Sequence, residues 1–326
     1  MPGIRRLSLA GAAAVTALAV LCATTALAAT APKGAAPKVT TGAAGSITYQ
    51  SATLTGTVNP GGEATEVYFQ YGTTAEYGSQ SAPTAMPAST TALAVSIPIT
   101  GLTAFTPYHY RLVATNADGT VIATGRTFTT AKIPLSLAIT AAPNPTPFGG
   151  AVTIEGTLSG TGSAGAPVQL QQAAFPYTEG FSDLGNPELT LANGTFVFNE
   201  LGIGLNTQYR VVAGTTASAP VVVSVAVDVT LNARATGTHK HPTIRFSGTI
   251  APAEPSARIA FERLVGTSWK VVGGTVAKPV AVKDSDLVGF VKTVRVHQGG
   301  FFRALVLPVE GAHVSGYSGT TLIRIR

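Results

Sequence analysis

The chain has 326 residues, with 21 Lys+Arg against 15 Asp+Glu and a single cysteine. One thiol excludes a disulfide framework and a cysteine-ligated metal centre. The length exceeds one typical domain and suits two or three.

The chain opens "MPGIRRLSLAGAAAVTALAVLCATTALAAT". Arg5 and Arg6 form a basic start, an apolar stretch follows from Leu7, and Ala26-Leu27-Ala28 offers small residues for cleavage. The pattern predicts a secretory signal peptide over 1–29. A twin-arginine signal fits poorly, because the residues after the arginines do not match and no cofactor motif demands folded export. A lipid anchor at Cys22 fits poorly because the bulky Leu21 precedes it. A mature chain without cysteine, rich in Ala, Gly, Thr and Val, suggests a high-GC bacterial protein, secreted or attached to the cell envelope. Residues 30–37, within "TAPKGAAPK", read as a flexible linker. The longest later apolar run, "PVVVSVAV" from Pro220, is broken by Ser224 and too short to cross a membrane.

From residue 38 onward, strands dominate. In "ATLTGTV" Leu54, Gly56 and Val58 share one face and threonines the other, and "EVYFQYG" groups Val67, Phe69 and Tyr71. "IRFSGTI" and "RIAFERL" alternate in the same way. This period of two marks strands with one buried face. Turn chemistry separates them at "NPGG" (59–62), "NADG" (116–119) and "QGG" (298–300). Pro98 in "VSIPITGL" fits only an edge strand, since proline donates no ladder hydrogen bond.

The pattern is written three times. "GTV" at Gly56 returns as "GTL" at Gly156 and "GTI" at Gly248, after 100 and 92 residues. From each glycine an inward apolar residue follows at 13, 14 and 13 positions (Phe69, Leu170, Phe261). An aromatic–arginine pair follows at 54, 53 and 54 (Tyr110-Arg111, Tyr209-Arg210, Phe302-Arg303). Matched spacing of this kind predicts three copies of one structural unit. The expectation is an all-β fold of three tandem antiparallel β-sandwiches, over 38–131, 132–224 and 225–326. The recurring glycines are expected inside, where the opposite sheet approaches. "PVVVSVAVDVTL" leaves no linker between the second and third units, so one extended segment would end one sandwich and begin the next, as a stiff joint.

In "LTAFTPYHYRLVATNADG", Leu102 precedes Tyr108 by six residues, and Tyr110, Leu112 and Ala114 continue inward. The first unit thereby resembles a fibronectin type III domain. The resemblance implies a tyrosine corner at Leu102 and Tyr108, with the hydroxyl bonded back to the main chain. The tryptophan usual in that family's second strand is replaced by Leu54. The second unit, with "AFPYTEGFSDLGNPELTLANGTFVF", resembles immunoglobulin-like repeats of secreted actinobacterial proteins. The third resembles them more loosely, through "FSGTI", "GTSWKVVG" and "GGFFRALV".

Reactive motifs are scarce. "GTGSAG" (160–165) spells a dinucleotide fingerprint but leads into "APVQLQQ", a strand, so it reads as a hairpin loop. His239 and His241 in "THKHP" are two ligands, too few for a closed metal site, and His297 and His313 lie on other segments. Asp284 and Asp286 lack the further acid a calcium loop needs. "GYSGT" lacks the last glycine of a nucleophile elbow. No catalytic residue, metal or cofactor is expected, and the chain reads as a non-enzyme. The candidates for ligand stacking are the rings of Phe175, Tyr177 and Phe181 in "FPYTEGF", together with Trp269; the alternative for all four is packing on their own sandwich.

Charge is uneven. Residues 30–131 hold four of each sign, 132–226 hold two basic and five acidic, and 227–326 hold 13 basic and six acidic. A basic last unit could meet anionic envelope polymers, or lysine and arginine could simply solvate it. Scattered charge without a matching motif argues against nucleic acid. The expected function is that of a monomeric spacer, scaffold or adhesion module. The alternative is a carbohydrate-binding protein, whose partners would be envelope polysaccharide or another surface protein.

Overall fold

The computed structural model describes residues 34–238, 240–279 and 287–325. The expected leader, residues 30–33 of the linker, His239, Asp284 and Asp286 lie outside them. Among the described residues every regular element is a strand, and the fold is all-β with antiparallel sheets. Packing divides the chain into two units. One comprises the described residues up to Gly45 with Thr53–Ile99 and Tyr108–Phe128; the other comprises Ser46–Ala52, Thr100–Pro107 and the chain from Thr129 onward.

In the first unit, Lys38–Thr41, Ser51–Asn59 and Leu93–Thr100 form one sheet. Ser79–Gln80, Thr65–Gly72, Pro107–Asn116 and Gly119–Ile122 form the other. Leu93–Thr100 lies at a sheet edge with Pro98 facing outward, as its missing N–H requires. The core holds Leu54, Phe69, Tyr110 and Leu112, all fully buried, so the rings of Phe69 and Tyr110 fill the centre beside Leu54. Tyr108 is buried and stacks on Phe128 at 5.6 Å. The Tyr110 hydroxyl donates to the Gly42 carbonyl at 2.7 Å, and the Thr41 hydroxyl accepts from the Leu112 N–H at 3.1 Å. These bonds pin the N-terminal strand of one sheet to a strand of the other. Leu102 is buried, and its N–H donates to the Gln50 carbonyl at 3.0 Å within the second unit.

The second unit contains two further pairs of sheets. Ser136–Ala142, Gly150–Ser159 and Thr195–Ile203 face Pro167–Ala174 and Thr207–Ala213 across a core of Val152, Ile154, Leu170, Phe196 and Val211. His241–Ala251 and Val288–Arg295 face Arg258–Val265 and Gly300–Leu307 across Phe246, Phe261, Phe290 and Phe302. Phe246 and Phe261 lie nearly parallel at 4.4 Å. Burial of each such ring contributes roughly 1.5–3 kcal/mol. Residues 160–165 form a turn between two strands, closed by the Ser163 N–H donating to Gly160 at 3.3 Å.

All three recurring glycines face inward, but the reason differs between copies. A Cβ on Gly56 would meet Leu112 Cδ2 at 2.8 Å, on the opposite sheet as expected. At Gly156 the obstacle is instead a phenylalanine directly across on the neighbouring strand of the same sheet, Phe196, and at Gly248 it is the Thr230 carbonyl oxygen together with Phe290, again directly across in the same sheet. Each ring lies over the bare glycine, so the expected approach of the opposite sheet is corrected there. A Cβ on Gly156 would collide with the Phe196 ring and stand 2.8 Å from the Ala138 carbonyl oxygen. Gly156→Leu should therefore destabilise the second sheet pair by roughly 1–3 kcal/mol, read as a lower thermal midpoint; an unchanged melt refutes it.

Burial pushes the Tyr209 hydroxyl up to about 12, with the Glu200 charge adding to the effect. The folded state thus holds this proton more tightly than the unfolded chain, whose tyrosines titrate near ~10. Stability from Tyr209 is present in full below that pH and is lost as pH rises through about 12. Denaturant midpoints should fall between about pH 10 and pH 12, and this part of the fall should vanish in Tyr209→Phe.

Candidate functional site

The recurring arginines are where the outer sheet faces converge on a repeated chemistry. Each follows an inward aromatic residue, so alternation turns it outward. Each then stands directly across from the residue that follows the recurring apolar position: Gln70, Gln171 or Glu262. Arg111 Nε donates to Gln70 Oε1 at 2.8 Å, Arg210 Nε to Gln171 Oε1 at 2.7 Å, and Arg303 Nε to Glu262 Oε2 at 2.8 Å. Each guanidinium also lies on an aromatic face. The distances are 4.3 Å to Tyr77, 4.2 Å to Phe181, and 4.2 and 4.1 Å to Trp269 and Tyr317 on Arg303. Such contacts are worth about 0.5–2 kcal/mol each.

This arrangement gives the candidate rings partners within the chain. Phe181 and Trp269 are half-buried, each with a face taken by arginine. Phe175 and Tyr177 are half-buried and meet edge to face at 5.7 Å. The Phe175 ring also borders Gly311, which belongs to the third sheet pair. Each of the four rings thus packs against another group of the chain while staying partly exposed. Tyr77 and Tyr317 complete the pattern and are missed by sequence reasoning. The glutamine or glutamate after the recurring apolar residue was the one signal that could have pointed to it.

Among the described residues the histidines do not converge. His241 Nδ1 is 3.1 Å from Arg295 Nη2, and His297 is exposed on a separate turn. Among the described residues no group of three His, Cys, Asp or Glu is arranged to hold a metal ion.

His313 stands apart, at the joint between the second and third sheet pairs. Its Nδ1 is 2.6 Å from Glu254 Oε1 and its Nε2 is 2.7 Å from the Gly204 carbonyl oxygen, with His313 and Glu254 both buried. Each ring nitrogen faces an acceptor, so two protons are held along these two contacts. Phe148 packs edge-on to the imidazole at 6.0 Å. Beside it, Asn206 Nδ2 donates to the Gly311 carbonyl at 2.8 Å, and Asn206 Oδ1 accepts from the Val225 N–H at 2.7 Å. The Asn206 N–H donates to the Ala312 carbonyl at 2.8 Å.

The chain between the two pairs is itself paired on both sides. Thr146 and Phe148 N–H groups donate to Ser224 and Ala226, each at 2.9 Å, while Val314 N–H donates to Val225 at 2.8 Å. Val221–Val223 belongs to the second pair and Asp228–Val229 to the third. No loose linker intervenes.

No family model matches the chain, and no curated protein matches it in sequence. Among solved structures it is similar to a crystal structure of titin domains, with TM-score 0.37 and 13% identity over 89% of this chain and 100% of that one. It is also similar to a tetra-tandem repeat in the extending region of a large adhesion protein, with TM-score 0.29 and 15% identity over 88% of this chain and 74% of that one.

The three arginines differ in what their removal leaves behind. Arg303→Ala strands the Glu262 carboxylate, whose side chain is only 10% exposed, and should cost about 3–5 kcal/mol. Arg111→Ala and Arg210→Ala leave a neutral amide and should cost about 1 kcal/mol. Chemical denaturation of the three variants checks the order.

Proposed function

We propose that this chain is a non-catalytic exported protein of tandem β-sandwich modules that serves as a spacer, scaffold or adhesion module at a bacterial cell surface. In this reading residues 1–29 are a signal peptide and 30–37 a linker. Residues 38–131 form a fibronectin type III-like module, and 132–224 and 225–326 form two immunoglobulin-like modules.

The observation that carries the reading is the joint between the last two modules. Residues 221–229 leave one sandwich and enter the next while hydrogen-bonded throughout. A buried His313–Glu254 pair reaches across to Gly204. An enzyme that closes on a substrate between domains draws its hinge from weakly held segments. This segment is of the opposite kind. It suits a protein that holds two surfaces at a fixed separation.

The test is a distance distribution between spin labels at Ala192→Cys and Thr267→Cys, in a Cys22→Ser background. The unaltered joint should give a single narrow distribution. Asn206→Ala combined with His313→Ala should broaden it severalfold. A broad distribution before any joint substitution would remove the reading.

A further inference from the structure

The outer face of the sheet around His241–Ala251 carries an unusual cluster. Alternation along this strand buries Ile244 and Phe246 and turns Thr243, Arg245 and Ser247 outward. The register then places Arg234 directly across from Arg245 on one neighbouring strand, and Arg295 directly across from Thr243 on the other. Three exposed guanidinium groups thus share one face on three adjacent strands. Strands lie about 4.8 Å apart and alternate residues about 6.8 Å apart, so along the backbone Arg245 stands about 5 Å from Arg234 and about 8 Å from Arg295, and the outer two are about 12 Å apart. The contact of Arg295 with His241, and the 2.9 Å bond between the Thr236 and Thr243 hydroxyls, lie on the same face.

No acidic residue directly across from these arginines balances them among the described residues. Among the described residues the two ion pairs are Arg303–Glu262 and His313–Glu254, both elsewhere. Asp228 is on this sheet, but it pairs with Ala251, six residues along the strand from Arg245 and roughly 20 Å away. Like charges directly across a sheet are destabilising, and Arg234 and Arg245 are such a pair. The matching strand of the second sheet pair instead turns Glu155 outward between Thr140 and Val197. The cationic face belongs to the third sheet pair.

We infer that this face binds an acidic polysaccharide, one bearing a carboxylate on its repeating unit. Guanidinium groups hold carboxylates through paired, charge-assisted hydrogen bonds. The threonine and serine hydroxyls between the arginines match sugar hydroxyls. Among the described residues no Phe, Tyr or Trp lies on the face, and its one ring, His241, is taken up by Arg295, which disfavours single-stranded nucleic acid. Its exposed apolar residue is Val291, opposite Ser247, and one valine makes no bilayer-inserting surface. This inference adds a ligand to the third module and does not rest on the stiffness of the joint: a narrow label distribution with no glycan affinity would remove it alone.

The experiment measures retention of the whole chain on polygalacturonate and on neutral dextran, from about 50 to about 300 mM salt. The chain should be retained on the acidic polymer alone and released as salt rises. Arg234→Ser/Arg245→Ser/Arg295→Ser should weaken binding by at least about tenfold. Arg126→Ser/Arg258→Ser/Lys270→Ser makes the same change in net charge on other sheets and should weaken it by less than about twofold. The first variant should melt no lower than the parent, because it relieves a like-charge pair. Absence of retention, equal losses in the two variants, or tighter binding to phosphatidylglycerol vesicles or single-stranded DNA than to polygalacturonate would each overturn the inference.

Discussion

Slipping a strand by one residue exchanges its two faces, and in this chain both faces are committed. Inside, Phe69, Leu170 and Phe261 are fully buried. The very next residue of each strand, Gln70, Gln171 or Glu262, receives an arginine from across the sheet. That arginine follows an inward Tyr110, Tyr209 or Phe302. The register that packs the core is therefore the register that assembles the outer bond. A slipped pairing loses hydrophobic burial and a charge-assisted contact together. The same coupling acts on the third sheet pair's other sheet, where burying Ile244 and Phe246 obliges Arg245 to face Arg234.

The joint follows from a different economy. A Gly/Ser linker leaves its main-chain groups to water and gains freedom. Here the connecting segment is extended, so its N–H and C=O groups point sideways, and strands of both sandwiches meet them. Once the segment is covered, polar side chains near it must find partners within the protein. The Asn206 side chain meets this demand with two hydrogen bonds, and His313 with one acceptor on each nitrogen. Breaking a buried pair by removing one partner is costly, about 3–5 kcal/mol. Buried polar contacts thus tie the two sandwiches together across the joint.

Much of the architecture was legible because burial of one sheet face imposes a period of two that survives in any sequence. The edge position of Pro98 and the loop at 160–165 followed from elementary main-chain chemistry. The triplicate spacing pointed at Arg111, Arg210 and Arg303 as repeated positions. Their ring partners were hidden because the loops differ: Tyr77 and Trp269 lie seven residues beyond Gln70 and Glu262, whereas Phe181 lies ten beyond Gln171. The role of Gly156 and Gly248 was misassigned because alternation says which face a residue takes, not which neighbour fills the space above it. His313 looked like one of several scattered histidines. Its partners are 59 and 109 residues away, one of them in another sandwich, and no local pattern encodes such a meeting.

Trp269 is the only indole in the chain, and it rests against the Arg303 guanidinium beside Glu262. Its fluorescence accordingly belongs to the third sandwich alone, while Tyr108, Tyr110 and Tyr209 report from the other two. The chain carries its own pair of optical channels. Excitation at the red edge follows the third sandwich by itself, while the tyrosine band is dominated by the sandwiches ahead of it, with Tyr317 the one tyrosine of the third. Sequential or concerted melting of the array is readable without attaching a dye.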